Sequence, residues 1–543
     1  MSDDADLFVG IDLGTSGPKV GVVTADGRIV SAARRPVSLH VTADGGAEQD
    51  PKEWWEAVCE ATREAVAAAA VDPRRVRALC PSAQWGGTVA VDEEGEPLRP
   101  ALIWMDSRGA EEARRIAGGG LTVPTTGYNA RKLIHWIRLT GGVPSRTGKD
   151  PVGQIAWLRE NEPEVHRNAR WFLDVPEYLT LRCCGAAVAG WDTAVLRWCA
   201  DTRDASDVHY DRDLARAAGL DIGRLPRLVS PSSVVGPLTA EAADGLGLTR
   251  DTVVVVGTGD TLASAIGAGS TRDFDPFICI GTSAWVSCQV PFKKTDVFRT
   301  VASLPSVIPG RWWVATEQDV AGAAFAWLAD RLFHISSDVA PPGAEASGVF
   351  AVLESWASAA PPGSGGVLFA PWLNGERTPV DDPDLRGCFV GLNLETDRSR
   401  LARSVYEGVA LNTRWMFEAA ERFACERRSR EFSEVRLVGG ASRSDLLAGL
   451  LATVLGRRVH RMARPDLANV RGAALVAAVA TGVRRWSEIP DLVEIDTTFE
   501  PDADRRPVYD RLFALFKKLA RTMRSPSRAL APLRTRSVRA EAR

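Results

Sequence analysis

Histidine is scarce, six in 543 residues, and the nine cysteines form no Cys-x-x-Cys pair and have no histidine at zinc-ligand spacing. A zinc site is therefore not expected, and Cys279, inside Phe277-Ile278-Cys279-Ile280, reads as a buried reduced thiol of a cytoplasmic protein. Charge of either sign is not in excess: Lys plus Arg number 66 against 69 Asp plus Glu, a formal balance of -3. Neither a polyanion-binding surface nor a nucleic-acid partner is implied. No apolar run approaches the ~20 residues that cross a bilayer. The start, Met1-Ser2-Asp3-Asp4, lacks the basic residues and apolar stretch of a secretory signal. Membrane and secreted readings fall away. Also missing is a Gly-x-x-x-x-Gly-Lys-Ser/Thr loop, which excludes the P-loop class of nucleotide hydrolases.

What remains is a soluble α/β composition, 45% apolar and 25% charged, in a chain too long for one ordinary core. Leu7-Phe8-Val9-Gly10-Ile11 runs into Asp12-Leu13-Gly14-Thr15-Ser16-Gly17-Pro18 and on into Lys19-Val20-Gly21-Val22-Val23, a strand, turn, strand pattern. Far downstream Phe277-Ile278-Cys279-Ile280, Gly281-Thr282-Ser283 and Ala284-Trp285-Val286-Ser287 repeat it, as in a duplicated domain. Helices are expected near 54–70, 154–168, 320–332 and 472–480, and strands at 76–80, 252–256 and 435–438. The expected domains are 1–252 and 253–520. Residues 521–543, rich in Arg, Ser and Pro, read as a disordered tail.

A Gly-Thr-Ser turn between strands exposes successive N–H groups that can wrap phosphate oxygens. One copy alone is more often a plain hairpin; two copies, the first headed by Asp12, favour paired loops gripping a nucleotide. Asp12 suits Mg²⁺, which takes oxygen ligands and keeps several waters, and Lys19 adds positive charge. Gly439-Gly440-Ala441-Ser442 follows an apolar strand and leaves room for a flat ligand beside Ser444. Val253-Val254-Val255-Val256 leads into Gly257-Thr258-Gly259-Asp260, which sets a carboxylate at the carboxyl end of a strand, where open α/β sheets bind ligands. Phosphoryl transfer to an alcohol needs such a base. A helix-capping aspartate is the competing reading, and the flanking glycines favour a functional one.

Taken in order, the motifs to about residue 520 resemble the FGGY carbohydrate kinases, most nearly the xylulokinase branch. The resemblance is carried by Asp12-Leu13-Gly14-Thr15-Ser16, Glu48-Gln49-Asp50-Pro51, Trp104-Met105-Asp106-Ser107-Arg108 and Trp157-Leu158-Arg159-Glu160-Asn161. Downstream it continues through Gly257 to Asp260, Gly281-Thr282-Ser283, Ala321-Gly322-Ala323, Gly375-Glu376-Arg377-Thr378-Pro379 and Gly439-Gly440-Ala441. It implies two ribonuclease-H-like domains of actin or hexokinase type around a cleft, with ATP and Mg²⁺ as cofactors. It implies Asp260 as catalytic base, and as a metal ligand with Asp12. Gly14, Thr15, Ser16, Lys19, Gly281, Thr282, Gly322, Gly440, Ala441 and Ser444 would hold ATP. Gln84, Trp85, Asp106 and Asp260 would contact a small sugar or polyol, with D-xylulose the first guess and ribulose, erythritol or glycerol the alternatives. A homodimer is a family-level expectation. Actin- and chaperone-like ATPases share the hairpins but not the substrate-side landmarks. Three departures bear on the substrate: Gln84-Trp85-Gly86-Gly87 stands where Gln-Met-His-Gly is usual, Gln154 where a lysine is usual, and Asp192-Thr193-Ala194 where Asp-Ala-Ser is common.

Overall fold

In the computed structural model, which describes residues 6–123, 126–334, 347–426 and 430–540, the first hairpin is Leu7–Gly14 paired antiparallel with Gly17–Thr24. Seven of the eight residues of Leu7–Gly14 are buried, because Ile29–Arg34 extends the sheet on one side and Val76–Ala83 lies parallel on the other. Val253–Val255 and then Thr258–Gly259 add parallel to Val76–Ala83, and Val234–Pro237 closes that edge. The second hairpin, Phe277–Ile280 with Ala284–Ser287, opens a five-stranded sheet completed by Glu434–Val438, Arg458–Met462 and Ile495–Phe499. Each half thus carries an antiparallel hairpin continued by parallel strands, the ribonuclease-H-like arrangement in duplicate.

The sheet moves the domain boundary. Val253–Val255 pairs inside the first sheet, so the first domain runs past residue 252 and includes the helix Asp260–Gly267; the second begins at the hairpin near 277. The expected helix over 154–168 is two, Pro151–Asn161 and Pro163–Asn168, because Pro163 has no N–H to continue the first. The helix expected over 320–332 is Gly322–Trp327 followed by a wider turn, Leu328–Leu332. The tail is also corrected. Helix Arg506–Ala540 runs through the Arg-rich stretch, and Tyr509, Phe513, Phe516 and Ala520 seat its first half in the second-domain core. Residues 541–543 lie outside the described residues.

A helix pair joins the halves beside the first hairpin. Ala468–Ala480, from the second half, lies on the Leu7–Gly14 strand and crosses Asp260–Gly267 at backbone distance. A Cβ at Gly472 would sit 1.7 Å from the carbonyl oxygen of Ala263, and one at Gly267 1.7 Å from that of Ala468, so only glycine permits the crossing. Phe8, Cys80 and Val255 share one apolar cluster with Phe277, Val438 and Ala473 across this seam. The helix that begins at Asp260 is thereby fixed to both domains.

Candidate active site

Asp260 opens its helix just after Thr258–Gly259, and its carboxylate accepts from the backbone N–H of Thr261 at 2.8 Å. Desolvation by burial, then the negative charge of Asp12, push its pKa from the ordinary 3.8 up to about 7. The residues before it are braced from behind: the Thr258 hydroxyl donates to buried Asp192 at 2.6 Å, and the Gly257 N–H to the Thr180 hydroxyl at 3.2 Å. Burial pushes Asp192 up to about 6, and among the described residues its Oδ1 has no hydrogen-bond partner.

Asp12 faces Asp260 from the first hairpin. Its Oδ2 accepts from Lys19 Nζ at 3.0 Å, across the strand pair, and its Oδ1 from Asn469 Nδ2 at 2.9 Å. The Asp12 charge raises the Lys19 pKa. Asn469 was not anticipated. It stands between Asp466 and Arg471, 457 positions from its partner, and no local pattern marks it. The second hairpin converges on the same place: burial, then the charge of Asp260, push the Cys279 thiol up to about 12, with Lys19 and Asp12 acting in opposite directions.

In the two turns, Ser16 and Thr282 are exposed, Gly14 borders open space, and a Cβ at Gly281 would meet only the Ser283 carbonyl oxygen, at 4.0 Å. Thr15 differs from expectation. Its hydroxyl donates to Gln84 Oε1 at 2.8 Å and accepts from Trp104 Nε1 at 3.1 Å, so only its backbone is left for a phosphate. The turn at 281–283 rests on the helix Gly322–Trp327: Gly322 N–H donates to the Gly281 carbonyl at 2.9 Å, and a Cβ at Gly322 would sit 2.2 Å from that oxygen. Gly322 therefore serves close packing of the loop. Gly440 is exposed and borders open space, with Ala441 half-buried beside it. Ser444 caps the helix Asp445–Leu455, its Oγ accepting from Leu447 N–H at 3.0 Å.

On the substrate side two of the candidates sit in buried hydrogen-bond networks. Gln84 is buried, its amide oxygen accepting from Thr15 and its Nε2 donating to Gln49 at 2.7 Å, which ties it to the first turn. Asp106 is 1% exposed; its oxygens take the N–H groups of Ala47 (2.9 Å) and Arg108 (3.0 Å) and the Arg108 guanidinium, so no acceptor remains for a hydroxyl. Trp85 does reach the cleft. It packs on Gly259, where a Cβ would sit 3.1 Å from the indole, and its ring centroid lies 6.2 Å from that of Trp313 in the second domain. Its loop is held by Asp174, which accepts from Gly86 and Gly87 N–H at 2.8 and 3.0 Å. Gln154 donates to the Gly86 and Ile103 carbonyls at 3.2 and 3.0 Å, so the residue replacing the usual lysine braces this loop from below. Opposite, Arg377 bridges Glu317 and Asp319. Burial raises the Glu317 pKa, and its charge also bears on Asp260.

Residues 7–267 match the N-terminal domain, and residues 277–481 the C-terminal domain, of the FGGY family of carbohydrate kinases. The chain belongs to this family. Among its relatives, the xylulose kinase of Streptomyces rubiginosus is 31% identical over 491 residues, 88% of this chain and 90% of that protein. The crystal structure of a xylulose kinase from Rhodospirillum rubrum superposes with a TM-score of 0.79 at 26% identity, covering 96% of this chain and all of that one. A gluconate kinase from Lactobacillus acidophilus shares the fold, with a TM-score of 0.81 at 23% identity over 96% of this chain and 99% of its own. As an FGGY kinase the protein uses ATP to phosphorylate a sugar or polyol. No helix among the described residues is long and apolar enough to cross a membrane.

Proposed function

We propose that the substrate is a small ketose or polyol, D-xylulose first, phosphorylated on a terminal hydroxyl with Asp260 as base. The observation carrying this is the Asp260 carboxylate, pushed up to about 7 where both phosphate turns and the Trp85 loop converge. A base tuned close to neutral pH accepts a hydroxyl proton readily. Asp260 takes that proton as the oxygen attacks the γ-phosphorus and ADP departs with the bonding pair. Backbone N–H groups of the turns at 14–16 and 281–283, with the Ser16 and Thr282 hydroxyls, hold the phosphoryl oxygens. Trp85 and Trp313 exclude water beside the attacking hydroxyl, and the open space at Gly440 takes the adenosine.

Asp12 and Asp260 fit a magnesium ion. Both are oxygen donors, and after burial the negative charge of Asp12 is the largest influence on Asp260, as expected for two carboxylates turned towards one place. Two protein ligands suit an ion that keeps its waters; among the described residues no group of three or more His, Cys, Asp or Glu could hold a metal. Bound with ATP, the ion would neutralise charge on the phosphoryl oxygens. A reducing cytoplasm is supported by nine free cysteines, most of them buried.

A carboxylated polyol is the second reading, favoured by Lys149. This half-buried first-domain lysine makes no salt bridge among the described residues, and desolvation, then Arg377, lower its pKa. The test is ADP release against a panel of D-xylulose, D-ribulose, erythritol, glycerol and gluconate, with the product located by NMR. D-Xylulose giving the highest kcat/KM supports the first reading, gluconate the second, and ATP turnover indifferent to every member refutes both.

A further inference from the structure

We propose that the C-terminal helix is a positioning device for the active site: Arg524 and Arg528 hold Asp382 and thereby fix the loop 375–386 that presents Arg377 to the cleft. The proposal rests on the kinase reading above.

The helix runs through Pro526 and Pro532, each of which removes a backbone hydrogen bond and crowds the preceding turn. Tertiary contacts must offset that cost. They converge on one loop. Arg524 Nε lies 3.3 Å and Arg528 Nη2 3.5 Å from Asp382 Oδ2, and Asp382 is 3% exposed. Arg386 N–H donates to the buried Ser527 hydroxyl at 3.1 Å, and Arg524 Nη2 to the Val380 carbonyl at 3.4 Å. A buried carboxylate deprived of its cations is strongly disfavoured, so the two arginines decide whether Asp382 stays in place.

Asp382 is tied directly to the cleft. Its N–H donates to the Glu376 carbonyl at 2.8 Å, and the Glu376 N–H to the Asp382 carbonyl at 3.1 Å. The next residue, Arg377, reaches Glu317 and, at 2.8 Å, Asp319; Thr378 N–H donates to the Glu317 carbonyl at 3.0 Å, and Glu317 N–H to the Thr378 hydroxyl at 3.3 Å. From helix to Asp260's charged neighbour Glu317, each step is a hydrogen bond or ion pair. Arg524 and Arg528 are themselves largely exposed, and the helix is anchored upstream by Tyr509, Phe513 and Phe516, so both can be changed without opening the core.

The test compares the full-length chain with Arg524→Gln/Arg528→Gln and with Arg524→Lys/Arg528→Lys. Amide hydrogen exchange reads the contact without substrate: exchange over 375–386 and 315–319 rises about fivefold or more in the Gln pair, with Leu7–Gly14 unchanged. With the sugar found in the panel, kcat/KM for sugar falls about three- to tenfold through a higher sugar KM, while the ATP KM stays within about twofold. The Lys pair restores most of both effects, since both arginines reach the same Asp382 oxygen and charge suffices there. Unchanged exchange over 375–386 overturns the proposal, as do wild-type sugar kinetics in the Gln pair or a Lys pair no better than Gln. If the wild type turns over no sugar, the kinase reading fails, and the exchange data still decide whether the helix holds the loop.

Discussion

Replacing Asp260 by Asn should stabilise the protein while removing its activity, and the two effects share one cause. The folded-state pKa is pushed up to about 7 from the ordinary 3.8, because burial and Asp12 both disfavour the charged form. Folding therefore takes up a proton between those values. The cost of the charge is absent below about pH 4, where aspartate is neutral in both states, and complete above about pH 7. At ~1.36 kcal/mol per unit, a rise of roughly three units sets an upper limit of ~4 kcal/mol. Asp260 is half-buried rather than fully enclosed, and its Thr261 N–H bond can be kept by an asparagine oxygen, so about 1–2 kcal/mol is the expected gain. That corresponds to a Tm higher by roughly 1–4 °C at about pH 8, shrinking towards zero near about pH 4. Matched thermal scans of both proteins at these pH values, without nucleotide, read the difference. A variant no more stable than wild type at about pH 8, or stabilised equally at both pH values, would refute the reasoning.

Three further outcomes follow from the same site. Wild-type kcat/KM should rise with pH through an apparent pKa near about 7, because the free enzyme must ionise Asp260 before it can act as base; a flat profile between about pH 6 and 8 would count against it. Lys19→Met leaves the buried Asp12 carboxylate with Asn469 as its remaining partner and should weaken ATP binding about tenfold by calorimetry, with sugar KM little changed. Trp85→His removes the indole from Gly259 and Trp313; it should lower stability by about 1–3 kcal/mol and change the ratio of kcat/KM values across the sugar panel, with the ATP KM within about twofold.

The sequence was most informative where chemistry is local. Both hairpins, the strand before Asp260 and the Ala-rich helix are legible because a few consecutive residues specify each. It was least informative where a role depends on a distant partner. Gln84 and Asp106 have the chemistry of sugar ligands, yet Thr15 and Gln49 consume one and Ala47 and Arg108 the other. The boundary near 252 failed for a related reason: Val253–Val255 begins a repeat-like run but pairs with Val76–Ala83, far upstream. The tail's composition argues for disorder, whereas the helix is seated upstream by Tyr509, Phe513 and Phe516 and meets Asp382, more than a hundred residues away, through Arg524 and Arg528.

The central claim, that Asp260 is the base of a sugar kinase, is tested most directly by measuring ADP release with and without D-xylulose for wild type and Asp260→Asn, beside calorimetric ATP binding. Sugar-stimulated turnover in the wild type, lost by about a hundredfold or more in the variant with ATP affinity retained, is the predicted result. Sugar-dependent turnover that survives in Asp260→Asn would contradict it.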